Sequence, residues 1–332
     1  MMTAAFKFWM MRCFFDCFKW VWLSLMVCGV CGCSSVNKGG TQAASVVGRP
    51  LNVGLSGNVI LPMVWIAPGT FTMGSPQTEI GRKSDEGPQT TVTISKGYWL
   101  GKTEVTVGQW KAVTGMGLRD KVISMLNDET LYNFNGKMQR IHDFMRFDND
   151  PDKVMGNEDE RLPMYFVSWS EAMDFCRKLN IQEKARGKLP AGYEYTLPTE
   201  AQWEFGCRAS TNKPDTLSKV AWYNKNSAEG YTGRTIGRAG GGPRNVGYKQ
   251  PNALGLQDML GNLWEWCRDW YGAYPGGKAV DPQGPPSGGY RVNKGGSWGS
   301  GAGDERAANR AKNPPDEASA YRGFRLALCA VE

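Results

Sequence analysis

Histidine is nearly missing from this chain: His142 is the only one among 332 residues. A Ser-His-Asp triad has one base to draw on. A two-histidine iron site or a histidine-rich zinc site lacks ligands altogether. Basic runs are absent too. The formal charge of +7 is spread thinly, with no block long enough to track phosphates, so nucleic acid is not an expected partner. No apolar run reaches the length of about 20 residues that a membrane-crossing helix needs. Downstream of residue 33 only Cys176, Cys207, Cys267 and Cys329 remain, and none lies in a CxxC pair, which excludes a zinc ribbon or thioredoxin-like centre. Four thiols in an oxidising compartment permit three complete pairings, and the spacing does not choose among them.

Glycine and tryptophan, by contrast, are plentiful, at 42 and 13 residues. Glycine supplies positive-φ turns and tryptophan supplies area to bury, so a loop-rich fold stapled by aromatic packing is expected.

The first residues read as a leader. Lys7, Arg12 and Lys19 precede the apolar core Val21–Val30, which is of signal-peptide length. The core ends in Val30-Cys31-Gly32-Cys33-Ser34-Ser35, which looks like a bacterial lipobox with Cys33 as lipid acceptor. An ordinary secretory signal with incidental cysteines is the alternative. The expected organisation is a signal peptide over 1–32, a lipid-anchored linker over 33–60, and one domain over 61–330. A chain so anchored would face the periplasm or the cell surface.

Within the domain, Met63–Ile66, Thr70–Met73 and Thr90–Ile94 read as short strands. Thr106 is placed to cap a helix through Trp110 and Val113, stopped by Gly115. Ser168-Trp-Ser-Glu171 and Thr199-Glu-Ala-Gln202 are capping boxes. The first is followed by Ala172, Phe175, Cys176 and Leu179 on one apolar face. Residues 118–161 read as an insertion. Val122, Met125 and Leu126, then Met138, Ile141 and Phe144, suggest helical pieces ahead of an acidic tail from Asp148 to Glu160. It either rims a groove or merely decorates the surface.

The most specific pattern is Gly255-Leu-Gln-Asp258-Met-Leu-Gly261-Asn-Leu-Trp264-Glu265-Trp266-Cys-Arg-Asp-Trp270, then Gly295-Gly-Ser297-Trp298, Arg310 and Gly323-Phe324-Arg325-Leu-Ala. With Leu197-Pro-Thr-Glu-Ala-Gln-Trp-Glu-Phe and the segment from Met63 to Gly74, this set resembles the formylglycine-generating enzyme (sulfatase-modifying factor) family. The resemblance runs from about Met63 to Leu326. It implies an α+β fold with little regular secondary structure, an irregular variant of the C-type lectin-like architecture.

The resemblance also implies a calcium site. Asp258 and Glu265 would supply side chains, and Gly261 and Leu263 backbone oxygens. The competing reading is that Asp258 orders a turn while Glu265 pairs with a buried arginine. A second calcium site of some members would fall in 223–242, where Glu229 is the one acid, and is not carried over. The family's copper chemistry needs two thiolates. The first would stand at Ser300 and the second within Gly301 to Glu305, yet no cysteine lies between Cys267 and Cys329. A hydroxyl does not replace a thiolate for Cu(I), so copper is not expected. What remains as a pocket is Ser297, Trp298, Ser300 and Arg310, with Trp264 and Arg325 beside them. Arginines next to tryptophans either bind a carboxylate, phosphate or peptide, or tie loops to carboxylates such as Glu265 and Asp269. Tyr321 departs from the asparagine usual two residues before Gly-Phe-Arg. The reading that results is a lipoprotein binding a peptide, protein or envelope component. The alternatives are a non-copper modifying enzyme and an authentic sulfatase activator.

Overall fold

The computed structural model describes residues 48–331 apart from 135, 141, 144–149, 210–215 and 233–240. The expected leader, Cys33 and most of the expected linker therefore lie outside the described residues. The linker ends earlier than residue 60. Leu51–Gly54 is already a strand, paired antiparallel with Ile60–Ile66, and Val53 and Leu55 sit in the core. Alternation of Leu51 and Val53 across so short a strand was masked by its glycine-rich flanks.

Five strands build the sheet that joins the two ends of the domain. Leu51–Gly54, Ile60–Ile66, Tyr98–Gly101, Ala327–Ala330 and Tyr193–Thr196 lie side by side, all antiparallel. A four-stranded sheet runs Arg310–Asn313, Arg291–Lys294, Trp264–Trp270 and Arg322–Gly323, the last pairing being parallel. A third sheet holds Gly277–Val280, Thr90–Ile94 and Gly69–Met73. Strands are short, most of them four to seven residues, and turns do the rest.

The three caps read from the sequence form. Thr106 accepts from Gln109 N at the head of Val107–Thr114, and Gly115 ends that helix in the left-handed region. Ser168 opens Trp169–Ala185 and Thr199 opens Glu200–Cys207, each with its reciprocal glutamate or glutamine bond. Trp110 stacks on Phe175 at 5.5 Å, and Phe324 meets both edge-on. The Gly-Phe-Arg segment is thereby fixed against two helices that precede it by more than a hundred residues. Among the described residues no helix is long and apolar enough to cross a membrane.

The insertion is only partly helical. Leu118–Leu126 is a helix that buries Val122 and Met125. Met138 lies instead in a hairpin of Tyr132–Phe134 with Lys137–Gln139, and it is exposed. Gly136 at φ 82° supplies the turn that a helix would not tolerate. The acidic tail is engaged: Arg119 pairs with Asp152 and Glu158, and Lys111 with Glu160.

Candidate functional site

Between Gly255 and Glu265 the chain reverses sharply, because Asp258, Gly261 and Asn262 all have positive φ. Only glycine fits at 261: a Cβ there would lie 2.2 Å from the Trp222 carbonyl. Asn262 holds the reversal together. Its amide accepts from Arg244 N at 2.9 Å and donates to Arg244 O at 3.0 Å, and its carbonyl accepts from Trp298 N at 2.8 Å.

The turn delivers two carboxylates into the interior. Glu265 is wholly buried and gripped by Arg325, Nε to Oε2 at 2.5 Å and Nη2 to Oε1 at 2.6 Å; Trp203 Nε1 donates to Oε2 at 2.6 Å. The pairing of Glu265 with a buried arginine is thus real. Asp258 accepts from Gly247 N at 2.6 Å through one oxygen, while its other oxygen is buried without a partner. Glu104, which the sequence reading missed, joins them. It is 1% exposed and neither of its oxygens has a partner. Burial, then the charges of Asp258 and Glu265, push its carboxyl well above the usual range. Asp258 rises to about 6, chiefly through burial.

Three buried acids therefore face one guanidinium. A divalent cation would offset the surplus negative charge and satisfy the three orphaned oxygens, so the residues fit calcium by charge and donor type. Among the described residues no three His, Cys, Asp or Glu side chains close into a metal cage. Backbone oxygens, those of Gly261 and Leu263 in the family pattern, would have to complete the shell.

The expected pocket divides into parts. Trp298 has no exposure, stacks on Tyr321 at 4.5 Å and donates to the Ala320 carbonyl, so it is a wall and not a contact surface. Arg310 is spent on structure as well. It forks onto Glu200 at 2.8 and 2.7 Å, donates to the Asp85 and Gly272 carbonyls, and lies against Tyr271 and Tyr274. Lys294 pairs with Glu204 at 3.0 Å in the same buried layer. Asp269 accepts there from Glu200 N at 2.8 Å, and its carboxyl is pushed up to about 7 by burial and then by Glu200. The loop-tying reading holds for Arg310 and Arg325.

Ser297 and Ser300 form a tight turn, with their hydroxyls 3.0 Å apart and Ser300 N donating to Ser297 O at 2.9 Å. Ser300 stays partly exposed. Glu305 lies beneath this turn, 2% exposed and with both oxygens unpartnered; a Cβ on Gly296 would come within 2.4 Å of each. Burial, then Asp304, pushes its carboxyl well above the usual range. The segment where a second thiolate would stand thus ends in a carboxylic acid. Among the described residues no thiolate comes from elsewhere. Cys176, Cys207, Cys267 and Cys329 form no disulfide, the first three are fully buried, and burial raises every thiol, Cys207 to about 12 and Cys329 to about 11. The residues present do not fit Cu(I). His142 lies in the insertion against Asp143, at 3.2 Å.

Comparison with known proteins accounts for this layout. Residues 58–330 match the sulfatase-modifying factor enzyme 1-like domain, and the chain belongs to that family. The formylglycine-generating enzyme of Bos taurus is 26% identical over 340 aligned positions, covering 90% of this chain and 85% of that protein. That of Thermomonospora curvata is 32% identical over 186, covering 50% of this chain and 55% of its own length. Among solved structures, Treponema denticola variable protein 1 superposes with a TM-score of 0.61 at 26% identity, over 84% of this chain and 98% of that one. The mixed, curled-sheet architecture is the C-type lectin-like variant of this family.

Proposed function

We propose that the protein is an exported bacterial lipoprotein, anchored through Cys33. In this reading its sulfatase-modifying-factor-like domain binds a peptide, protein or other envelope component and does not oxidise thiols. The observation that carries this is the pair Ser300 and Glu305. A hydroxyl and a buried carboxyl without a hydrogen-bond partner occupy the segment where the family's chemistry needs two thiolates. Calcium belongs to the reading as a structural ion at Asp258 and Glu265, with Gly261 and Leu263, which requires a Glu265 oxygen to be shared with Arg325 or Trp203. A non-copper modifying enzyme built on Glu265 or Arg310 is less well supported, since both side chains are consumed by ion pairs.

Titration with Cu(I) against a chromophoric chelator tests the site. No one-to-one complex is expected, and a tight complex abolished by thiol alkylation would overturn the reading. The anchor has its own test. Cys33→Ser should release the protein from the membrane fraction and abolish labelling with a fatty-acid analogue; labelling that persists would rule out lipidation at this residue.

A further inference from the structure

Beside the turn at Gly261 and Asn262, which packs on Trp222 and Arg244, lies a cavity of about 290 Å³, walled by Trp222, Tyr231, Arg244, Asn245, Tyr248 and the Asp159–Arg161 pair. Its volume is near the lower end of ligand sites, about 300–1,000 Å³. The walls are fixed. Asn245 donates to Asp159 at 2.9 Å, Val246 N donates to the Arg161 carbonyl at 3.0 Å, and Arg161 forks back onto Asp159.

Arg244 is the unusual member. Arg306, Arg310, Arg322 and Arg325 each grip a glutamate. Among the described residues no carboxylate pairs with Arg244. Its guanidinium makes one long bond, 3.3 Å to the Ser227 carbonyl, and lies 4.6 Å from the Trp222 ring and 5.7 Å from that of Tyr231. The Trp222 Nε1 and the Tyr231 hydroxyl, in the same walls, are buried without hydrogen-bond partners. Lys249 is not part of the walls: its Nζ lies 3.6 Å from the Trp222 ring and donates to the Ser218 carbonyl. Buried donors without acceptors are rare enough to need a cause, and here they cluster around an unpaired fork. We propose that this cavity binds a small oxyanion, a carboxylate or a phosphate monoester. Arg244 supplies the planar fork that either group fits, and Trp222 and Tyr231 supply further donors.

Calorimetry in phosphate-free buffer with glucuronate, glucose 6-phosphate and glucose tests this on one ring scaffold. At least one of the two anions should bind, their order telling carboxylate from phosphate, while glucose should not. Arg244→Gln should weaken binding at least tenfold with near-UV circular dichroism unchanged, and Tyr231→Phe severalfold. Binding of neither anion, or wild-type affinity in Arg244→Gln, overturns the proposal. Should that variant not fold, Tyr231→Phe removes a single oxygen, and unchanged affinity there overturns it instead.

Discussion

Glu265 and Arg325 meet as a two-pronged ion pair with no exposure of either side chain, and the same guanidinium donates to the carbonyls of Gly101, Gln257 and Asp258. One arginine thus ties the reversal after Gly255 to the end of the central strand Tyr98–Gly101. Breaking such a pair leaves an uncompensated buried charge, so Arg325→Ala should cost about 3–5 kcal/mol. Arg325→Lys should also be costly, since an ammonium cannot reproduce the fork. Urea denaturation measures both; a loss below about 1 kcal/mol for the alanine variant would show that the pair is dispensable.

Asp269 gives a pH dependence with a definite sign. Its folded-state carboxyl titrates near 7, raised from 3.8 by burial and then by Glu200. Between those values the folded state holds a proton that the unfolded state has lost, so stability falls as pH rises through that window. Asparagine keeps the acceptor for Glu200 N and carries no charge. Asp269→Asn should therefore gain on the wild type as pH is raised from 5 to 8. Melting curves across that range decide it, and parallel curves for the two proteins would refute the shift.

The helix starts were legible because capping is local. Thr106, Ser168 and Thr199 each find their partner three residues on. The Gly255–Trp270 turn was legible for the same reason, since its glycine and acids are fixed by contacts at short range. Glu104 was not. Nothing near it in sequence marks it as buried beside Asp258 and Glu265, which arrive from more than a hundred residues away. The duty of Arg310 was likewise hidden, because its partner Glu200 lies 110 positions earlier. Nothing in the segment Gly301 to Glu305 marks Glu305 as buried against Gly296. Met138 looked helical by spacing, and Gly136 overrode the spacing.

Calcium binding makes a two-sided prediction at Glu104. An ion that binds only the folded state adds RT ln(1 + [L]/Kd), about 2.7 kcal/mol at a hundred times Kd. Calcium should raise the melting temperature of the wild type and chelation should lower it. Without calcium, Glu104→Gln should be neutral or stabilising, because burial and the neighbouring acids disfavour the ionised carboxyl that the amide replaces. With calcium, the same variant should respond less than the wild type. A wild type indifferent to both calcium and chelator would remove the ion from the account.

Catalysis is the sharpest case. Formylglycine formation in this family needs thiolates to hold Cu(I), and soft sulfur ligands are not replaced by hydroxyl or carboxyl oxygen. Ser300 offers a hydroxyl locked in a turn with Ser297, and Glu305 a carboxyl buried against Gly296. The protein should leave a sulfatase-motif peptide unchanged even with copper, oxygen and a thiol reductant present. Ser300→Cys alone should not restore turnover, because one thiolate leaves the ion under-coordinated and the segment from Gly301 to Glu305 supplies no second. Peptide mass spectrometry reads the result directly. An aldehyde product from the unaltered protein would require one of Cys176, Cys207, Cys267 or Cys329 to act, the first three from burial, and serine variants of each would then identify it.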